Sequence, residues 1–513
     1  MESKQLIVNM LEHEYWWGGC VHDGTKMPFH AGTTFSRQMD PNPTTNPANT
    51  VFLSSKGRYI WCDDGFNYEI GGGVITITYT KAEPVLYDGY ETLRGAFLAA
   101  SKRHFPTAGK SPDEYFFAHP QYNTWIELQY GQSQEGVLEY AKSIIANGMP
   151  PGIIMIDDKW SKYYGDYEFD AAKFPEPKKL IDELHDMGFK VMIWVVPYIT
   201  SDQEEFRYLL WNKGHIVLDE KGEWPSIKYW WNGWGAALDY TNPEAVEWYE
   251  KKLRYLMDEY GIDGFKFDGG DPFLYTDGEK NHAGTDANGQ AKAFCEMALK
   301  FDFNELRGGY QLAGQPVVYR ICDKFHSWET EQGIGALVPN MLAMGVLGYA
   351  YTCPDMIGGG MSSDFTEEKL PQLDQELFAR YAQCAALMPM FQFSAAPWRV
   401  LDEKHFAICK EMSELHTAHK DIIMELVRHT EQTGEPIIRN MEYVFPGQGL
   451  EAVTDQFMLG DGILVAPVFT KGTWSRTVKL PIGKWSYKGE TIDGGQDFGI
   501  DTPIDELAVF HRR

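Results

Sequence analysis

Between residues 120 and 400 short apolar runs alternate with amphipathic stretches, and this alternation constrains the fold more than any other feature of the chain. The runs are Thr124–Leu128, Gly152–Ile156, Val191–Val195, Gly264–Asp268, Val317–Arg320, Tyr349–Thr352 and Met390–Phe393. Each has the length of a buried strand, and β-branched or aromatic residues recur in them. Helix-period stretches fall between them, such as Glu135–Asn147, Pro177–Met187 and Pro243–Tyr260. Repeated strand–helix units predict a parallel sheet, and their number and length suit a (β/α)8 barrel in which one strand stays unplaced.

The flanks read differently. Val74–Thr80 alternates apolar and hydroxyl residues, the pattern of a half-buried strand, and a helix follows over Glu91–Phe105. Beyond residue 430, Asp461–Val468 and Lys479–Pro481 return to short strands and turns. The expected fold class is α/β. A β-sandwich-like N-terminal domain (1–115) precedes the barrel (116–425), and a C-terminal β-sandwich domain (426–513) follows it.

Charge and cysteine content exclude several function classes. The formal net charge of −27 repels phosphate backbones, so no nucleic-acid partner is expected. No apolar run reaches the roughly 18 residues of a membrane span. The segment Met1–Gln5 lacks a secretory pattern, and the expected location is cytoplasmic. The seven cysteines are odd in number and contain no Cys-x-x-Cys pair, which argues against a disulfide framework or a thiolate zinc site. His416 and His419 share a helix without a third ligand, and no nucleotide-binding glycine motif opens a βαβ unit. No metal or cofactor is therefore expected. The 16 tryptophans serve either an aromatic core or sugar stacking.

Charged residues at the carboxyl ends of the predicted strands carry the chemistry, because those ends form the active face of a barrel. Asp157 and Asp158 follow Ile156, Lys266 and Asp268 end another strand, and Arg320 leads to Asp323. Strand period two turns Lys266 and Asp268 to one side, and Phe265 and Phe267 toward the helices. The ammonium would then hold Asp268 ionised. This suits a glycosidase nucleophile, and it equally describes a buried ion pair. A retaining mechanism needs a second carboxyl roughly 5–5.5 Å away. Asp323 can supply it from the next strand, with Arg307 or Arg320 orienting it. Asp355, in the glycine-rich Pro354–Gly360, is the alternative.

Several motifs in order resemble glycoside hydrolase family 31 over roughly residues 50–490. They are Ile156-Asp157-Asp158-Lys159-Trp160, Asp239-Tyr240-Thr241-Asn242-Pro243, Phe265-Lys266-Phe267-Asp268 and Asp455–Gly460. Glu305–Tyr310, Arg320-Ile321-Cys322-Asp323 and Leu347–Met356 resemble the family's α-galactosidase branch. The resemblance implies Asp268 as nucleophile, Asp323 as acid/base and Arg307 as a substrate-binding arginine. Asp157, Asp158, Trp231, Lys266 and Trp328 would line the subsite for the reacting sugar. It further implies hydrolysis of terminal α-linked hexose, foremost α-galactosides, in an oligosaccharide or glycoside. α-Glucosides, α-xylosides, sulfoquinovosides and a catalytically silent carbohydrate-binding homologue are the alternatives, and self-association stays open. The chain departs from much of the family at Gly269-Gly270-Asp271, where Trp-x-Asp-Met-Asn-Glu is common at the nucleophile. It also lacks the usual Trp-x-Gly-Asp around the acid, which disfavours an α-glucosidase.

Overall fold

Parallel pairing runs from Gln121–Asn123 through Ile153–Ile156, Lys190–Val195, Gly264–Phe267, Asn304–Leu306 and Val318–Arg320 to Thr352–Cys353 in a computed structural model that describes residues 2–513. Met356–Ile357 then pairs with Gln392–Phe393, which returns to Gln121–Asn123. Thr352–Cys353 and Met356–Ile357 are one strand interrupted at Pro354-Asp355, bonding a different neighbour on each side of the break. The sheet thereby closes as an eight-stranded barrel.

The strand that the sequence left unplaced is Asn304–Leu306, the fifth. Its polar start hides it from an apolar pattern: Asn304 Nδ2 turns back to the Ala298 carbonyl at 2.7 Å. Glu305 points inward and accepts from Gln392 Nε2 at 3.0 Å. The first strand also needs correction. Trp125–Leu128 is a helical turn, and the strand is Gln121–Asn123, just before it. Asn123 Oδ1 accepts the Trp125 N–H at 2.8 Å and starts that turn. Polar residues can form a barrel strand here because they pair across the barrel interior, Gln392 Nε2 donating to Gln121 Oε1 at 2.6 Å. The last two strands begin later than expected, at Thr352 and Gln392.

The helices follow local rules. Pro243–Tyr260 begins under an Asn242 side-chain cap with proline at its first position, and ends at Gly261 in the left-handed conformation. Phe265 and Phe267 do face outward: their rings meet Phe301 at 5.1 and 6.0 Å, and Phe267 also meets Phe294 of helix Ala287–Ala298 at 6.0 Å.

Two four-stranded antiparallel sheets make up the N-terminal β-region, ending at Val85–Tyr87 before helix Leu93–His104. Their apolar residues share one continuous core with the barrel. The C-terminal strands from Ile438 to Arg512 enclose a smaller core of their own around Trp485 and Phe510. After the third barrel strand an insertion forms a three-stranded antiparallel sheet from Tyr198–Ile199, Ile227–Trp230 and Gly233–Ala237. It packs its own aromatic cluster of Trp194, Tyr198, Trp230 and Tyr275 beside the barrel mouth. Among the described residues, no helix is long and apolar enough to cross a membrane.

Candidate active site

A cavity of about 520 Å³ opens at the carboxyl ends of the barrel strands. Asp157, Asp158, Trp231, Lys266, Asp268, Arg307 and Asp323 all line it. Trp328 lies outside that lining, with its indole Nε1 bonded to Asp374 at 3.0 Å. The structure therefore gathers seven of the eight expected residues in one place, and turns the eighth toward Asp374.

Asp268 follows the fourth strand, anchored by its N–H to the Val195 carbonyl at 2.9 Å. Arg307 Nε donates to Asp268 Oδ1. Trp194 Nε1 donates to Oδ2 at 3.0 Å, and the Gly269 N–H to Oδ1 at 2.8 Å. Burial alone would raise this carboxyl, but the charges of Arg307, Lys266 and Arg320 outweigh it and hold Asp268 well below the usual carboxylate range. Strand period alone assigns this task to Lys266. In the fold Lys266 Nζ donates to Asp157 Oδ2 at 2.7 Å, and Arg307 takes the larger share at Asp268. The backbone after Asp268 requires glycine: Gly270 has φ +70°, and a Cβ there would lie 2.5 Å from the Phe294 ring.

Arg307 extends from the fifth strand and divides its donors. Its Nη2 donates to Asp271 Oδ2 at 2.8 Å, and its Nη1 to the Thr45 carbonyl of the N-terminal region at 2.9 Å. Its guanidinium also lies 5.4 Å from the ring centroid of Trp231, which the insertion presents at its hairpin turn. Burial pushes Asp271 up, against the opposing Arg307 charge.

Asp158 accepts from Tyr164 Oη at 3.0 Å and from Asn232 Nδ2, next to Trp231. Burial and the neighbouring Asp157 charge push its carboxyl up to about 6.

Arg320 organises the other wall. Its Nη1 donates to Asp323 Oδ1 and Asp355 Oδ1, each at 2.7 Å, and its Nε lies 3.3 Å from Glu305 Oε1. The Asp323 side chain is 35% exposed and that of Asp355 0%. Of the two candidates for the second carboxyl, Asp323 faces the cavity and Asp355 is sealed beneath it. Burial and the Asp323 charge push Asp355 up, while Arg320 opposes them. The glycine-rich loop is a tight turn as expected, with Gly358 and Gly359 at positive φ. It also lines the cavity through Gly360, whose carbonyl accepts Trp125 Nε1 at 3.1 Å.

Several lining residues escaped the sequence reading, among them Trp125, Tyr130, Phe273, Phe325, Cys322 and Thr45. Trp125 and Cys322 follow barrel-strand ends but carry no charge that marks them, and the others come from connecting segments and the N-terminal region. Exposed Tyr130 and Phe325 could have been suspected only from the abundance of aromatics. His416 and His419 are occupied elsewhere. His416 stacks on Phe391 at 5.6 Å, and His419 Nδ1 bonds the Leu415 carbonyl at 2.9 Å.

Comparison with known proteins places these features in a family. Residues 115–331 match the glycosyl hydrolases family 31 TIM-barrel domain, and residues 434–513 match the glycosyl hydrolase family 31 C-terminal domain. Over 418 residues the chain is 34% identical to the myogenesis-regulating glycosidase of Mus musculus, covering 80% of this chain and 58% of that protein. Over 495 residues it is 24% identical to alpha-glucosidase 2 of Bacillus thermoamyloliquefaciens, covering 85% and 60%. The chain thus spans about three fifths of the length of these relatives. Among solved structures, a Flavobacterium johnsoniae family 31 dextranase complexed with glucose superposes with a TM-score of 0.86 at 18% identity, covering 99% of this chain and 66% of that one. An α-xylosidase from a soil metagenome complexed with xylose gives 0.82 at 22%, covering 99% and 79%. At those identities the two structures speak for the fold.

Proposed function

Because the chain belongs to glycoside hydrolase family 31, we propose that it is a retaining α-glycosidase that releases terminal α-linked hexose, with α-galactosides as its preferred substrates. One observation carries this reading: a buried carboxylate held ionised at Asp268 shares a cavity with the partly exposed carboxyl of Asp323. Asp268 attacks the anomeric carbon while Asp323 protonates the departing oxygen. Water, deprotonated by Asp323, then releases the sugar with its configuration kept. Trp194 and Arg307 aim the attacking carboxylate. Asp157, Asp158 and Trp231 meet the sugar's hydroxyls and ring face.

The preference for galactose is supported by the branch motifs, and the 34% likeness to the myogenesis-regulating glycosidase supports glycosidase chemistry. Relatives named for α-glucosides, α-xylosides and sulfoquinovosides keep those sugars as the competing readings. A sulfonated sugar would call for free cations in the cavity. Lys159 instead lies over the Tyr164 ring at 4.1 Å, Lys162 over Tyr163 at 5.3 Å, and Lys266 is tied to Asp157.

The test is turnover of a panel of aryl α-glycosides, with proton NMR on the first-formed product. The expected result is fastest release from the α-galactoside, as the α-anomer. A β-anomer as first product would overturn the mechanism, and a faster α-glucoside or α-xyloside would overturn the substrate. Absence of turnover across the panel, with sugar binding seen by calorimetry, would favour the silent homologue.

A further inference from the structure

We propose that Cys322 is a reactive thiolate in the wall of the catalytic cavity, open to modification by small electrophiles and hydroperoxides. Nothing in the hydrolytic mechanism uses this residue.

The first observation is Lys324. It is 0% exposed, and among the described residues no carboxylate oxygen lies within 4.0 Å of its Nζ. A buried ammonium without a counter-charge is costly. The Cys322 sulfur lies 3.7 Å from it and accepts its hydrogen bond. A further neighbour is neutral: Asn340 Oδ1, at 3.2 Å in the amide orientation that satisfies both ends of that side chain.

The second observation is the direction of the hydrogen bonds at the sulfur. Asn46 Nδ2, from the N-terminal region, donates to Cys322 Sγ at 3.3 Å. The orientation of that amide is fixed, because its Oδ1 accepts the Cys322 N–H at 2.6 Å. The Asn46 amide and the Lys324 ammonium are both donors, so Cys322 Sγ is an acceptor. Cys20 and Cys62 make the opposite arrangement, each Sγ donating to an oxygen at 3.4 Å.

The charge balance agrees. Burial alone would raise the Cys322 thiol. The Lys324 charge, hydrogen bonds from His22 and Thr45 and the Arg307 charge together outweigh it and bring it to about 6. Burial pushes the other six cysteines up. Cys322 is also the cysteine that lines the cavity, beside Asp323, so a small reagent can reach it.

The chemistry is direct. The thiolate attacks one oxygen of a hydroperoxide, an S–O bond forms and the O–O bond breaks. The departing hydroxide or alkoxide takes a proton. Sulfur loses two electrons to become a sulfenic acid, and the peroxide is reduced to water or an alcohol. An alkyl halide is attacked at carbon instead: an S–C bond forms, the carbon–halogen bond breaks and halide leaves. Either group, placed next to Asp323 and Arg307, obstructs the sugar.

The full chain treated with iodoacetamide or hydrogen peroxide, followed by peptide mass mapping of all seven cysteines, tests this. The expected result is labelling of Cys322 at least about tenfold faster than any other cysteine at neutral pH, with activity lost in step. The wild-type alkylation rate should rise with pH around a midpoint near 6. Lys324→Met should shift that midpoint upward by more than about one unit and slow labelling at pH 7 about tenfold. Should that variant not fold, the wild-type pH profile decides alone. Labelling of Cys322 no faster than of the other cysteines, or a wild-type midpoint at the ordinary thiol value of about 8.5, would overturn the proposal. Labelling is read by mass, so it survives even if no glycoside is turned over, and that second failure would count only against the glycosidase reading.

Discussion

Arg307, after the fifth barrel strand, faces two acids, whereas Arg320, at the end of the sixth, faces three. Both guanidiniums are buried at the same mouth, yet they leave their partners in different states. Arg307 turns Nε to Asp268 and its terminal nitrogens to Asp271. With Lys266 nearby, Asp268 drops well below the usual range while burial pushes Asp271 up. Around Arg320 a single cation serves Glu305, Asp323 and Asp355, and burial pushes both Glu305 and Asp355 up. Around Arg307 one acid is therefore pushed down and one up, whereas around Arg320 two buried acids are both pushed up.

Substitution of the two carboxylates should break this comparison most sharply. Asp268→Asn should lower kcat by at least about 10⁴-fold for every leaving group, since no covalent intermediate can form. Asp323→Asn should cost about 10²–10⁴-fold, and least for aryl glycosides whose leaving group needs no proton. A leaving-group series on both variants checks this. Equal sensitivity to the leaving group in the two variants would refute the division of roles.

The arginines come next. Arg320→Met leaves three carboxyls facing one another and Arg307→Met leaves two. Each should lower unfolding stability by about 3–5 kcal/mol in urea titrations, with Arg320→Met the more costly. Adding Asp271→Asn to Arg307→Met should recover part of the loss, because one unpaired buried charge is removed. No recovery would show that Asp271 does not depend on Arg307.

The smallest expected effect is a pH slope. A carboxyl raised in the folded state binds more protons folded than unfolded, from its unfolded pKa near 4 upward. Its contribution to stability therefore falls as pH rises through that interval. Asp355→Asn removes this penalty, so the variant's stability relative to the parent should improve between about pH 4.5 and pH 8. A stability difference that stays constant across that range would mean that Asp355 is not raised.

Much of the candidate site was legible because strand geometry is local. Period two alone set Lys266 and Asp268 on one side of their strand, and strand ends alone singled out Asp157, Asp158 and Asp323. The Asn304–Leu306 strand was illegible because its apolar content is one leucine, and Glu305 finds its hydrogen-bond partner only at Gln392, 87 residues away. Gln121–Asn123 hid for the same reason, through Gln392, 271 residues away. The closure at Pro354-Asp355 depends on two different neighbours and leaves no local trace.

By itself, the sequence determined the α/β barrel class, because hydrophobic period and helix caps act over a few residues. It also determined which acids stand at the strand ends. The tertiary structure decided which cation serves which acid. Lys266 was expected to serve Asp268 and instead bonds Asp157, while Arg307 reaches Asp268 from another strand. It also brought Thr45 from the N-terminal region to the wall of the cavity and Asn46 against Cys322. Ion pairing falls off over a few ångströms in space, and distance along the chain carries no record of it.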